Sequence, residues 1–171
     1  MNAARLYKSI NKIVAAYKAK LATMAEDEFT VTPPSGGWSF SEVYAHIFDA
    51  SLLSLMALHN AAKGEGEKRT TNFMVKLILL FGALPPGKRY EAPSQLMGRV
   101  KKINIMAANQ FITDFELQLA KIFPHLKNAD PNVKVKHPLM GYLNAKQWLR
   151  FIEIHLKHHL KQINRIEKSF Q

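Results

Sequence analysis

Two histidines near the C-terminal end, His155 and His159, stand four residues apart in a stretch of helical periodicity. That spacing stacks two imidazoles on one helix face, ~6 Å apart along the axis, close enough to share one divalent cation. On a helical wheel, Trp148, Leu149, Phe151, Ile152, Leu156, Leu160, Ile163 and Ile166 form an apolar arc. His155 and His159 point into the middle of this arc, and His158 lies at its edge. A buried imidazole without a partner costs about 1–3 kcal/mol, so two of them in an aliphatic arc need either two separate polar partners or one ion that serves both. The HxxxH pattern alone is weak in a chain with seven histidines, and its placement in the arc carries the weight. A shared metal and separately satisfied core histidines both remain open at this level.

A third histidine, His46, shares a predicted helix face with Ala50, Leu53 and Ala57, and the two alanines leave the kind of room a pocket requires. Asp49, one position off that face, is a fourth ligand, a hydrogen-bond acceptor or simply surface charge, the last being the plainest reading. Gln162 is either a hydrogen-bond partner for a ligand imidazole or an ordinary partly buried amide. Trp38 reads as a packing anchor or a pocket wall, and His137, before Pro138, as loop structure or a second pocket candidate. His59 and His125 give no signal beyond edge or surface positions, and Tyr44 reads as packing. The chain has no Cys, which excludes a disulfide framework, thiolate zinc, iron–sulfur clusters and a cysteine nucleophile, and leaves His as the strong soft-metal ligand.

These side chains must be positioned by helices. Leu6, Ile10, Ile13, Val14, Tyr17, Leu21 and Met24 predict a core-facing helix from about Ala3 to Met24, and Pro33, Pro34, Gly36 and Gly37 mark the loop after it. Ser39 with Glu42 three residues on is a capping box that starts a second helix running to about Ala62, ended by Gly64 and Gly66. A short apolar helix spans about Asn72 to Phe81. Ser94 caps a long helix with Leu96, Val100, Ile103, Ala107, Phe111, Phe115 and Leu119 on one face, stopped by Pro124. The stretch from Asn128 to Asn144 reads as an irregular connection, and Asn144 caps the last helix, Ala145 to about Lys168. Nothing reads as a strand. The expectation is an all-α single domain over residues 1–171: a four-helix bundle with crossover connections plus one short accessory helix.

Length and charge agree with that class. At 171 residues and 47% hydrophobic the chain suits one soluble core without staples. Lys and Arg outnumber Asp and Glu by 24 to 13, a net charge of +11. The first sixty residues are balanced, so the whole excess lies beyond them. Lys146, Arg150, Lys157, Lys161, Arg165 and Lys168 form a basic stripe on the last helix, opposite its histidines. A solvated face explains that stripe, while a polyanion partner is the competing reading; the absence of any nucleic-acid module argues against the latter. The longest apolar stretch, Phe73 to Phe81, is interrupted by Lys76 and falls short of the ~20 residues a membrane helix needs, and no signal peptide is visible, so a cytoplasmic protein is expected.

Two segments resemble a known family. Trp38-Ser39-Phe40-Ser41-Glu42-Val43-Tyr44-Ala45-His46, with Trp eight residues before His, is similar to the first motif of the DinB/YfiT-like superfamily. His155-Leu156-Lys157-His158-His159-Leu160-Lys161-Gln162-Ile163 is similar to its second, and His137-Pro138-Leu139-Met140-Gly141 resembles a loop found in one subgroup. The resemblance implies a crossover four-helix bundle, often a homodimer, with a divalent metal, commonly nickel or zinc, held by His46, His155 and His159. Three protein ligands leave a coordination position open, where a thiol or water reacts at neutral pH. Family members of this kind include transferases that use a low-molecular-weight thiol, metal-dependent hydrolases and isomerases, and proteins without assigned activity. A small-molecule substrate is expected; no catalytic residue beyond the ligand set is singled out.

Overall fold

A computed structural model describes residues 2–84 and 100–171. The predicted Ser94 cap and the start of its helix at Leu96 lie outside these residues. Among the described residues the helices are α1 (Ala3–Leu21), α2 (Glu26–Thr30), α3 (Phe40–Lys63), α4 (Phe73–Phe81), α5 (Ile105–Ile122) and α6 (Ala145–Ser169). A 3-10 turn, Phe123–Asn128, follows α5 directly.

Helices α1, α3, α5 and α6 form the bundle. The extensive contacts are α3 with α6 and α5, and α1 with the same two, so α1 and α3 stand diagonally across the core. That diagonal placement is the crossover topology expected from the long connections. The core between them is aromatic: Tyr17, Phe29, Phe40, Tyr44, Phe48 and Phe115 are fully buried, and Tyr17 packs edge-on against Tyr44 and Phe48.

Local chemistry starts the two functional helices where the sequence indicates. At α3 the Ser39 hydroxyl accepts from the Glu42 N–H, while the Glu42 carboxylate accepts from the Ser39 N–H at 2.9 Å. At α6 Asn144 and Gln147 make the same reciprocal pair. Gly64, at φ 86°, ends α3 in the left-handed region that glycine enters without strain.

Three expectations are corrected. Residues 100–104 are not helical, so the long helix begins at Ile105, capped by Asn104, and leaves out Val100 and Ile103. Ser41 on α3 binds both the N–H and the C=O of Ile103 at 2.6 Å, which removes Ile103 from any helical ladder. The loop after α1 contains a short helix, α2, whose Phe29 is fully buried. The stretch from Asn128 to Asn144 is not irregular: β2 (Val133–His137) and β3 (Gly141–Leu143) form an antiparallel hairpin, and β1 (Glu67–Lys68) pairs with the other edge of β2. Val135 and its register partner Leu143 pack against the bundle core, which supplies the apolar support a hairpin this short lacks alone.

Helix α4 packs on α6. Arg150 donates from Nε to the Leu79 carbonyl at 2.9 Å and from Nη1 to Glu153. Glu153 is 2% exposed and also accepts from Lys157 at 2.6 Å and from Ser9 on α1. Burial opposes its ionisation, but these donors hold its carboxyl below the usual range. Two cations of the predicted basic stripe are therefore paired with one buried carboxylate.

Candidate metal centre

His46 sits on the second turn of α3, and His155 and His159 on the middle turns of α6. A buried relay fixes how the helices meet there. The Tyr44 hydroxyl donates to the Tyr17 carbonyl at 2.8 Å, and the Tyr17 hydroxyl donates to the Leu156 carbonyl at 2.9 Å. Tyr44 precedes His46 by two residues and Leu156 follows His155, so the relay holds α3, α1 and α6 together beside the histidines. Burial raises both phenol pKa values, Tyr17 with added repulsion from Tyr44, so both hydroxyls stay protonated donors.

The three imidazoles converge. Each offers a nitrogen, and these atoms lie within 4.8 Å of one another; among the described residues this is the group of three or more histidine and carboxylate side chains that meets so closely. Ring centroids stand 4.7 Å apart for His155 and His159, 4.9 Å for His46 and His159, and 5.4 Å for His46 and His155. The Nε2 atoms of His155 and His159 are 3.1 Å apart. Two nitrogens bound to one tetrahedral ion at ordinary lengths lie ~3.3 Å apart, so this pair already has a chelating separation, and the wider ones need to shorten.

Hydrogen bonding defines the tautomers. Gln162 Oε1 lies 2.7 Å from His159 Nδ1, so the ring donates there and leaves its Nε2 lone pair facing the other histidines. Ligation through His155 Nε2 requires its proton on Nδ1, and the 3.1 Å approach of the two Nε2 atoms is then that of two lone pairs that one ion would bridge. Burial lowers all three pKa values. For His46 the nearby Asp49 carboxylate opposes the shift and His158 adds to it. For His155, repulsion from His159 and His46 adds to burial and holds the ring well below its ordinary value; for His159, burial with repulsion from His46 brings it to about 3. All three are neutral at neutral pH, the state in which imidazole ligates metal. The donor set, its protonation and its spacing fit a divalent ion.

The other predicted residues take distinct places. Trp38 packs its ring 5.0 Å from that of His46, beside the cluster rather than in it. Gln162 is the direct partner of His159. Asp49 is half-buried and close enough to favour a charged His46. His137 ends β2, and its Nδ1 accepts from the backbone N–H groups of Leu139 and Met140 at 3.0 and 3.1 Å, so it organises the hairpin turn. Its ring reaches Phe151 at 4.4 Å, and Phe151 stacks on His155 at 5.3 Å, 19° from parallel. Phe151 is the contact that a wheel missed: it was one of many arc residues, and its stacking on His155 depends on side-chain direction. His59 and His125, which carried no sequence signal, face each other at 5.6 Å across α3 and the 3-10 turn.

Fold and site together define a class: a four-helix bundle with three convergent neutral imidazoles at the seam of two helices. The chain belongs to the DinB superfamily, whose family model matches residues 14–163. It is 22% identical over 152 residues to the uncharacterized protein YuaE of Bacillus subtilis (strain 168), covering 89% of this chain and 91% of that one. Its fold is similar to the crystal structure of TT2238, a four-helix bundle protein, with a TM-score of 0.53 and 19% identity over 96% of this chain and 99% of that one. Among the described residues no helix is long and apolar enough to cross a membrane.

Proposed function

We propose that the chain is a metal-dependent enzyme whose divalent ion, nickel or zinc, is held by His46, His155 and His159. The observation that carries this reading is the convergence of three neutral imidazoles with two Nε2 atoms 3.1 Å apart. When bound, the ion supplies Lewis acidity that lowers the pKa of a thiol or water at a position the protein leaves open. The chain's own groups set up that chemistry. Gln162 holds the His159 proton on Nδ1, Phe151 stacks on the ring of His155, Trp38 packs beside His46, and Asp49 places a negative charge near His46.

The preferred reaction is transfer of a low-molecular-weight thiol to a small electrophile. The thiol loses its proton, sulfur forms a bond to the electrophilic carbon, and the leaving group departs with its bonding pair. The chain contains no Cys, so a sulfur nucleophile has to come from a co-substrate, and such thiols are plentiful in a reducing, cytoplasmic setting. Hydrolysis or isomerisation at the same site is the alternative, and a bundle that binds without catalysis is the third reading. A homodimer is the proposed assembly; nucleic acid is not a proposed partner.

The test is elemental analysis of protein purified without added metal, beside His46→Ala and His159→Ala. About one ion per chain in the parent and little in the variants is expected; equal, sub-stoichiometric metal in all three defeats the reading. With metal present, a panel of small thiols and a haloalkane reads halide release, and release that needs both thiol and the intact triad separates transferase from hydrolase.

A further inference from the structure

His59 and His125 form a second pairing that the bundle does not use for packing. His59 lies on the last turns of α3 and His125 on the 3-10 turn, with ring centroids 5.6 Å apart at 67°. The rings of the triad stand 4.7 to 5.4 Å apart, so this separation nearly matches that of histidines converging on one point. Both backbones are anchored: Leu58, beside His59, is fully buried, and Leu126, beside His125, is 2% exposed. The His59 Nδ1 atom is buried with no hydrogen-bond partner, a polar atom that a bound ion would satisfy. Burial, then Lys63 and His125, keep His59 below its ordinary pKa, so its lone pair is free at neutral pH. Of the charges around it, Lys63 and Lys121 oppose a cation and Glu65 favours one. That balance excludes hard ions held by charge alone and selects ions that prefer nitrogen.

We propose that His59 and His125 form a second metal site, a two-imidazole clip for a divalent transition-metal ion, with solvent completing the shell. The clip ties the 3-10 turn to the C-terminal end of α3. It stands on the geometry of this pair and is independent of the triad.

Cu2+ is the probe, because it heads the affinity order for nitrogen sites. Calorimetric titration of the full chain against His125→Ala is expected to show the loss of one Cu2+ equivalent, or weakening of that site by about tenfold or more. The rise in melting temperature that Cu2+ produces through this site disappears with it. The same decrement is expected whether or not the triad binds, since His125→Ala leaves the triad intact; the equivalents remaining in the variant report on the triad separately. Equal stoichiometry and affinity in the parent and His125→Ala overturn the clip. His59→Gln, with its fold checked by circular dichroism, must lose the same equivalent, and retention there overturns it as well.

Discussion

Gln162 is the residue on which the chemistry of His159 turns. Its carbonyl oxygen accepts from Nδ1, which keeps the other nitrogen unprotonated and aimed at the cluster. Gln162→Leu is expected to weaken metal binding about 10- to 100-fold, while Gln162→Glu, which keeps an acceptor, restores it; competition with a chelator measures both. His137 carries a second prediction, on stability. Burial holds its folded pKa at about 4, against 6.5 ordinarily. The unfolded chain therefore takes up the proton first as pH falls. The stability from a neutral His137 is complete above about pH 6.5 and is lost progressively down to about pH 4. Urea midpoints of metal-free protein across that range are expected to fall less steeply in His137→Gln, by about one proton taken up on unfolding. The histidines themselves were legible in the sequence because four-residue spacing fixes a shared face. Their mutual distances were not, since these depend on rotamers and on where α3 crosses α6.

The elements that could be read from sequence are those with local causes. The Ser39–Glu42 box and the Asn144 cap start α3 and α6 at the predicted residues, because the groups that satisfy the first N–H donors lie within one turn. The start of α5 was misread because Val100 and Ile103 continue an apolar period, while Ser41, sixty-two residues away, captures both polar groups of Ile103. The hairpin was missed for a similar reason. Val133-Lys134-Val135-Lys136 does alternate, but the segment is short and flanked by Pro131 and Pro138, and its stability comes from β1 and the bundle. The contact between β1 and β2 is tight enough to test. A Cβ on Gly66 would lie 2.5 Å from the Lys134 carbonyl oxygen. Gly66→Ala is expected to destabilise the protein by about 1–3 kcal/mol, read from the denaturation midpoint.

At the scale of the molecule, α4 carries a group of exposed apolar side chains among the described residues. Phe73, Met74, Leu80 and Phe81 are 60–77% exposed, a larger apolar group than scattered surface residues supply. Were this face the contact of the proposed homodimer, Phe73→Ser with Phe81→Ser would shift the protein from dimer to monomer in sedimentation while leaving metal content unchanged. A parent protein that sediments as a monomer at micromolar concentration defeats that assignment. Arg150 and Lys157 of the basic stripe share the buried Glu153 carboxylate, whose charge is already counted in the net +11. Sequence alone determined the class of the fold, the helices that carry histidines and the lack of thiol ligands, because periodicity, capping and composition are local properties. Only the tertiary structure decided that three imidazoles meet within 4.8 Å and that His59 faces His125. Those relations join residues far apart in the chain, and packing between helices, which no local pattern encodes, sets them.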